Sequence, residues 1–435
     1  MKIVGKILRH ELINGSFYIF AGSMVSNVLA FILNLFLARS LSYSDYAIFA
    51  TLLSVITLAA IPSSSISTII MKFATSFYAN GQEDKVKSFY VNSFKFVFGF
   101  AFSVFLLFVL LSVPISSFLQ LDNIWYVILV GFTVFAFYLN TLNVAFLQSL
   151  LKFGFISLLT SISGFVKILV GVILVFLGFK AFGGIWAIFF MTIISFLIGF
   201  YPLKKVLFLK VNKEKVFLKK SDIFSYAFPA FVTILALTAF TSTDVILVKH
   251  FFNSQLAGFY AGLSLIGKVI FYFTAPIPVV MFPLLVKRHA TGKSFVNLFY
   301  LALILVILPS VAITSFYFMF PSFVIKIFLG GRDYLYIAEY LGFFGVYLTI
   351  FSMVNVCVNF FLSINKTKIS ILVVIAALFQ IILIFMYHSS FYQVIGVSLI
   401  VLTVLLVSLL AIFAKSYGTM AKIKENIAFS NIPGL

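Results

Sequence analysis

The chain has 435 residues, of which 63% are hydrophobic and 9% charged, with a net charge of +19 and a mean hydropathy of +1.20. A soluble protein carries about 25% charged residues, so this composition excludes a water-soluble fold and indicates a membrane protein. The positive charge does not indicate a nucleic-acid partner, because the cations lie in short breaks between long apolar segments.

Twelve apolar segments, numbered here as spans 1–12, are long enough to cross a membrane as helices of about 20 residues. The first six are residues 16–37, 46–71, 93–118, 124–147, 155–178 and 185–203. The second six are residues 224–248, 256–285, 295–318, 336–362, 369–387 and 394–414. We therefore predict an all-α polytopic membrane protein with 12 transmembrane helices.

The distribution of Lys and Arg predicts the orientation of these spans. If the N-terminus is cytoplasmic, 23 of the 30 Lys and Arg residues lie on the inner side and five on the outer side. Cytoplasmic loops of membrane proteins carry such an excess of cations. We predict a multi-pass protein of the cell membrane, that is, the inner or plasma membrane, with both termini in the cytoplasm.

The longest predicted loop, 204–222, carries seven lysines between apolar residues. This pattern is typical of an amphipathic segment that binds anionic membrane lipid. The loop also divides the spans into six plus six. We therefore predict a cytoplasmic N-terminal segment (1–15), two six-helix bundles (16–203 and 223–414), this lysine-rich linker between them, and a cytoplasmic tail (415–435).

An internal repeat relates the two predicted bundles. With an offset of 210 residues, residues 38–56 align with residues 248–266, and six of nineteen positions are identical. A cation is retained at Arg39 and Lys249. Because the offset covers an even number of spans, the two repeats are parallel in the membrane.

Two lysines lie at depths where lipid does not tolerate charge. Lys167 is near the middle of span 5, and Lys268 lies well inside span 8. A charge at the centre of a membrane helix costs at least about 2.5–3.5 kcal/mol, so it normally faces a cavity or a partner. No acid lies as deep, because Asp45 and Asp244 are near the outer ends of their spans. We predict a central cationic cavity, which favours a diphosphate as ligand.

Arg39 and Lys249 lie at the outer ends of spans 1 and 7. They either line the cavity or extend to the outer membrane surface. Asp45 and Asp244 are predicted to pair with these cations. Asp244 is also the one carboxylate considered for a coupling ion, H⁺ or Na⁺, although pairing with Lys249 is the simpler interpretation.

Asparagines form helical stripes in three spans. They are Asn27 and Asn34 in span 1, Asn140 and Asn143 in span 4, and Asn355 and Asn359 in span 10. Such residues either hydrogen-bond to neighbouring helices or form a polar wall that binds sugars.

Three prolines, Pro276, Pro278 and Pro283, interrupt span 8. Proline breaks backbone hydrogen bonds, which is tolerated in a membrane only where the helix lines protein or a cavity. We predict a hinge for two bundles that provide alternating access to a central site.

The junction of spans 7 and 8 carries a family resemblance. The run Thr243-Asp244-Val-Ile-Leu-Val-Lys249-His250, the run AGFYA at 257–261, Lys268 and the three prolines resemble helices seven and eight of the membrane polysaccharide exporters. The segments LARSLSYSDY (37–46) and FLGGRDY (328–334) are also similar to that family. Its members flip lipid-linked O-antigen, capsule or teichoic-type repeat units and belong to the multidrug/oligosaccharidyl-lipid/polysaccharide (MOP) exporter superfamily.

The resemblance implies a MATE-like fold with a pseudo-twofold repeat. It also implies a substrate, a polyprenyl-diphosphate oligosaccharide, that moves from the inner to the outer leaflet. In that interpretation Lys167 and Lys268 hold the diphosphate, with Arg39 and Lys249 assisting from the outer side. We expect the protein to work as a monomer without a cofactor or metal.

Two other functions stay open. A MATE-type cation-coupled exporter of drugs or other small molecules would normally use a buried carboxylate. A polyprenyl-dependent glycosyltransferase or polymerase would need catalytic acids and a large outer loop. Since the sequence has only short loops and no HExxH, Walker or paired metal-ligand motif, we expect a transporter rather than an enzyme.

Overall fold

The computed structural model describes residues 22, 24–207, 220–290, 296–331 and 333–430. Helices account for nearly all of these residues, and no strand occurs among them. Within this part of the chain, 10 helices are long and apolar enough to cross a membrane, or 11 if one bent pair counts as a span. The prediction of an all-α polytopic membrane protein is confirmed.

The helices of the first half follow the first six predicted spans. They are α1 (Met24–Ser40), α2 (Tyr43–Ala60), α3 (Pro62–Ala79), α4 (Glu83–Leu110), α5 (Ser112–Phe118), α6 (Trp125–Ser149), α7 (Phe153–Phe176) and α8 (Lys180–Leu207). The helix α1 is a shorter apolar helix, and residues 16–21 and 23 of span 1 lie outside the described residues.

The helices of the second half follow the remaining spans. They are α9 (Lys220–Phe240), α10 (Thr243–Phe251), α11 (Ser254–Thr274), α12 (Pro276–Ala290), α13 (Val296–Met319), α14 (Pro321–Leu329), α15 (Ala338–Ser363), α16 (Ile369–Met386) and α17 (Phe391–Ser430). A short 3-10 helix, Asp333–Ile337, precedes α15.

The order of helices in the first half recurs about 210 residues later, as expected for a parallel repeat. The short helix α5 between α4 and α6 has its counterpart in α14, between α13 and α15. The second span of each repeat is interrupted before a proline, since α3 begins at Pro62 and α12 at Pro276. The repeat inferred from a short sequence match therefore extends over the whole helix order.

Local sequence explains several helix ends. Ser42 caps α2, and its hydroxyl accepts a hydrogen bond from the Asp45 amide at 3.1 Å. Pro62 and Pro321 occupy the first turns of α3 and α14, where the missing N–H has no helical partner. Gly330 ends α14 in the left-handed conformation at φ 72°.

The chain forms two compact units. Unit 1 contains Met1–Phe231 and Lys249–Gly258, and unit 2 contains Val232–Val248 and Phe259–Leu435. In unit 1, α6 packs against α2, α3, α4 and α8; in unit 2, α15 packs against α12, α13 and α17. The predicted linker, 204–222, lies mostly outside the described residues, and the bundle limits 16–203 and 223–414 stay predictions.

The sharpest break of a span lies between α9 and α10. These helices meet at Thr241 and Ser242 with a bend of 46°. In span 8 the interruption at Ala275 separates α11 from α12, with Pro276 and Pro278 in the first turn of α12. Pro283 lies further along α12. Among the described helices, the bend of more than 40° therefore lies in span 7. The prolines had predicted the hinge one span later, in span 8.

Candidate functional site

Lys167 is a buried cation of unit 1. It lies on α7 and is 8% exposed. Gly164 and Gly171 flank it on the same face, and α1 packs closely against both. A Cβ at Gly164 would lie 2.9 Å from Leu29 Cδ1, and one at Gly171 would lie 2.8 Å from Leu33 Cδ1. Among the described residues, no carboxylate forms an ion pair with Lys167, so this ammonium group favours an anion from outside the chain.

The deep charges of unit 2 form one cluster on α10 and α11. Asp244 has no exposed surface, and its Oδ2 accepts a hydrogen bond from Tyr260 Oη at 3.0 Å. Lys268 lies two turns beyond Tyr260 on α11. Asp244 Oδ1 is buried without a hydrogen-bond partner in the protein, and so is Ser264 Oγ. We refer to Asp244, Tyr260, Ser264 and Lys268 as the carboxylate cluster.

Asp244 bonds to Tyr260, whereas Lys249 bonds to Gln120 and Ser254, so the predicted pairing of Asp244 with Lys249 does not form. Asp244 and Lys249 are five residues apart on α10. At about 100° per residue their side chains leave the helix about 140° apart. The two side chains therefore point to different faces of α10, although they are close in the sequence.

The break between α9 and α10 exposes a backbone carbonyl that side chains then satisfy. The carbonyl of Phe240 accepts hydrogen bonds from Tyr347 Oη and from Gln380 Nε2, the latter at 3.1 Å. Gln380 also donates to Ser398 Oγ at 3.0 Å and has no exposed surface. Neither Tyr347 nor Gln380 was predicted from the sequence. The available signal was Gln380 itself, a single amide in an otherwise apolar span 11.

Lys249 takes part in a contact between two segments of unit 1, which we name the loop contact. It consists of Phe118, Gln120, Lys249, His250 and Ser254. Lys249 is buried, and its Nζ donates to the Gln120 carbonyl at 3.3 Å and to Ser254 Oγ at 3.4 Å. Gln120 Nε2 donates to the His250 carbonyl at 2.7 Å. The His250 ring stacks on Phe118 with centroids 4.0 Å apart. Lys249 therefore does not extend to the membrane surface.

The two remaining charged positions lie near the ends of α1 and α2. Arg39 is exposed, as expected for a side chain that reaches the membrane surface. Asp45 Oδ2 lies 3.7 Å from Lys180 Nζ and accepts a hydrogen bond from Ser42 Oγ at 2.6 Å. The cation paired with Asp45 is thus Lys180, at the start of α8, rather than Arg39 or Lys249.

The asparagines fall into different environments. Asn143 is buried and bonded to two other helices, with Tyr90 Oη at 2.7 Å and the Phe196 carbonyl at 2.9 Å. Asn140 Oδ1 is buried without a hydrogen-bond partner in the protein. The others are exposed or half-buried: Asn27, Asn34, Asn355 and Asn359. Asn143 thus makes interhelical hydrogen bonds, whereas the remaining five stay open to the sugar-binding interpretation.

This arrangement can bind anions at two lysines and a monovalent cation at one carboxylate. Lys167 belongs to unit 1, whereas Asp244 and Lys268 belong to unit 2. Within the described residues, no group of three His, Cys, Asp or Glu side chains could hold a metal ion.

Comparisons with known proteins place the chain in a family. Residues 12–289 match the family model described as polysaccharide biosynthesis protein. The chain belongs to the polysaccharide biosynthesis protein family. No curated protein sequence matches it.

The fold of this polysaccharide biosynthesis protein is similar to that of several solved structures. An inward-facing multidrug resistance MATE transporter of the MOP superfamily has a TM-score of 0.69 at 14% identity, covering 91% of this chain and 95% of that one. The MATE multidrug transporter DinF-BH has a TM-score of 0.65 at 14% identity, covering 94% and 96%. Lipid II flippase MurJ, in an inward closed conformation, has a TM-score of 0.64 at 19% identity, covering 89% and 86%. The predicted MATE-like fold is confirmed.

The family match includes most of the charged positions described above. Lys167, Asp244, Lys249 and Lys268 all lie within residues 12–289 of this polysaccharide biosynthesis protein. Asn355, Asn359 and Gln380 lie beyond the matched segment. The second repeat is thus matched only through its second span.

Proposed function

We propose that this protein is a membrane transporter that flips polyprenyl-diphosphate-linked oligosaccharide repeat units from the inner to the outer leaflet by alternating access. The observation that carries the proposal is Lys167, a buried cation with which no described carboxylate pairs. Membership of the polysaccharide biosynthesis protein family supports the same substrate class. The similar fold of a lipid II flippase supports a lipid-linked cargo.

In this proposal the two deep lysines bind the diphosphate. Lys167 and Lys268 each supply an ammonium group, and phosphate oxygens are strong acceptors for such donors. Arg39 and Lys249 assist from the outer side, Lys249 through the loop contact. Pro276, Pro278 and Pro283 form a hinge. The sugars contact amides on α1, α6 and α15, namely Asn27, Asn34, Asn140, Asn355 and Asn359.

The remaining partners follow from charge. Asp244 binds the coupling ion, H⁺ or Na⁺, and the lysine-rich linker 204–222 binds anionic lipid of the inner leaflet. The protein works as a monomer in the inner or plasma membrane, with both termini in the cytoplasm.

A MATE-type exporter of organic cations is the second candidate. Its support is the similarity to two MATE multidrug transporters together with the buried carboxylate of Asp244. Lys268 weakens this candidate, because its ammonium group lies in the same unit as Asp244 and repels an organic cation.

Ligand binding to purified protein in lipid nanodiscs tests the two candidates. We expect a short-chain polyprenyl-diphosphate sugar to bind better than tetraphenylphosphonium, an organic cation. Lys167→Ala and Lys268→Ala should each weaken diphosphate binding about tenfold, since a charge-assisted hydrogen bond contributes about 1.5–3 kcal/mol. The charge-conserving variants Lys167→Arg and Lys268→Arg should retain most of the affinity.

Lys95→Ala is the matched control, because Lys95 is an exposed lysine on α4. Diphosphate binding that survives the double variant Lys167→Ala/Lys268→Ala would refute the assigned site. Preferred binding of tetraphenylphosphonium, insensitive to both lysines, would favour the MATE-type exporter. Transfer of the sugar to an acceptor during the assay would instead identify a glycosyltransferase.

A further inference from the structure

The loop contact joins the first half of the chain to the second. Gln120 follows α5, whereas Lys249 and His250 lie near the end of α10. Gln120 Nε2 donates to the His250 carbonyl at 2.7 Å, and His250 Nδ1 and the Phe118 carbonyl are 2.6 Å apart. The His250 ring also stacks on Phe118. These segments follow spans 3 and 7, so both lie on the predicted outer side.

The segment that makes this contact, residues 249–258, also packs on α2. A Cβ at Gly258 would collide with the backbone carbonyl of Tyr43. Residues 249–258 belong to unit 1, although the rest of α10 and α11 belongs to unit 2. The ends of these two helices are thus held by the first half of the chain. Alternating access requires the two repeats to move against each other, so these ends must leave the first half when the outer side opens.

Lys249 is a buried charge that the loop contact leaves without a counter-charge. It has no exposed surface, and its Nζ donates to two neutral acceptors, the Gln120 carbonyl at 3.3 Å and the Ser254 hydroxyl at 3.4 Å. Among the described residues, no carboxylate forms an ion pair with Lys249. Asp122, in the same loop as Gln120, is exposed. Two long hydrogen bonds do not replace the hydration of an ammonium group, so the burial of Lys249 opposes the contact.

We propose that the loop contact is the outer gate of the transporter and that the buried charge of Lys249 favours its opening. In the closed gate Lys249 lies among neutral groups. When the two segments separate, its ammonium group reaches water and binds the diphosphate as the substrate leaves. The diphosphate stabilises the open gate, because it binds Lys249 in that state alone. This inference rests on the proposed function, since it takes alternating access and a diphosphate ligand from it.

The distance between two spin labels across the gate tests this proposal. The labels are attached at Ile124→Cys and Gln255→Cys, two exposed positions outside the loop contact. The protein is the full-length chain in nanodiscs with Cys357→Ala, which removes the single native cysteine. Pulsed electron paramagnetic resonance then gives the populations of both gate states, a shorter distance for the closed gate and a longer one for the open gate.

Two substitutions should shift these populations in opposite directions. Gln120→Ala removes the hydrogen bond to the His250 carbonyl and keeps the backbone acceptor of Lys249, so it should raise the open-to-closed ratio about fivefold. Lys249→Met removes the buried charge and should lower the ratio about threefold. In a merely structural contact both substitutions would loosen the two segments.

Lys326→Met is the matched control, because Lys326 is an exposed lysine on α14, the counterpart of α5 in the second repeat. It should leave the ratio unchanged. The proposal would be overturned if Lys249→Met opened the gate, or if neither gate substitution changed the ratio.

Farnesyl diphosphate provides a test that leaves the gate residues intact. At saturation it should raise the open-to-closed ratio of the labelled protein about tenfold, whereas farnesol, which lacks the diphosphate, should not. Lys249→Met should abolish the effect. If farnesyl diphosphate binds without raising the ratio, this inference fails and the proposed function stands. If it does not bind while Gln120→Ala and Lys249→Met still shift the ratio as expected, the proposed substrate fails and the gate stands.

Discussion

Asn143 illustrates how one buried amide connects three helices. It lies on α6, accepts a hydrogen bond from Tyr90 on α4 and donates one to the carbonyl of Phe196 on α8. Gly199 of α8 leaves room for the amide, since a Cβ there would lie 3.3 Å from Asn143 Cβ. Within lipid the backbone carbonyls of a helix are already bonded, so an extra donor of this kind adds to helix association.

Replacing Asn143 by alanine tests this structural role. We expect Asn143→Ala to destabilise the folded protein by about 1–2 kcal/mol, because interhelical hydrogen bonds in membranes contribute about 0.6 kcal/mol each and up to about 1.7. The measurement is thermal unfolding in detergent, followed by tyrosine and tryptophan fluorescence. Asn27→Ala is the control, because Asn27 is exposed and should leave the unfolding temperature unchanged. Equal unfolding temperatures for the two variants would contradict the assignment.

At the scale of elements, the N-terminal turn of α11 packs against the start of α2. Gly258 has no space for a side chain, because a Cβ there would collide with the backbone carbonyl of Tyr43. Both residues belong to unit 1. The close approach of the two backbones is thus possible because residue 258 is glycine.

We expect Gly258→Ala to destabilise the fold by about 1–3 kcal/mol, the usual cost of adding volume to a packed contact. Gly99 on α4 is the matched helical control, because nothing lies within 4 Å of the Cβ it would gain. Gly99→Ala should leave stability unchanged or raise it by up to about 1 kcal/mol. Thermal unfolding of both variants in nanodiscs provides the comparison. A Gly258→Ala protein as stable as Gly99→Ala would show that the two segments separate without cost.

At the scale of the whole molecule, the positive-inside rule predicts opposite sides for two loops. Lys180 starts α8 on the predicted outer side, and Lys366 lies between α15 and α16 on the predicted inner side. Cys357 is the single cysteine and is buried, so Cys357→Ala gives a cysteine-free background. In that background Lys180→Cys should react with a membrane-impermeant maleimide in intact cells. Lys366→Cys should react only after permeabilisation. The reverse pattern would invert the topology.

The helices themselves could be predicted from the sequence because the membrane imposes a requirement that each segment meets by itself. Backbone N–H and C=O groups inside a membrane must form their hydrogen bonds within their own helix. A long apolar segment therefore predicts a helix, whatever the neighbouring segments are. Proline also acts locally, because Pro276 starts a new helix at the interruption predicted in span 8, and Pro62 likewise starts a helix. The buried position of Lys167 also followed from depth in span 5 alone.

The partners of the charged side chains were decided by tertiary structure. Asp244 accepts a hydrogen bond from Tyr260 on another helix, whereas Lys249 bonds to Gln120 from the other half of the chain. Asp45 pairs with Lys180, which begins a helix far along the sequence. Sequence proximity favoured Asp244 with Lys249, but a helix directs side chains five residues apart to different faces. Thus apolar length and proline determined where the helices lie, and the packing of helix faces alone determined which charges meet.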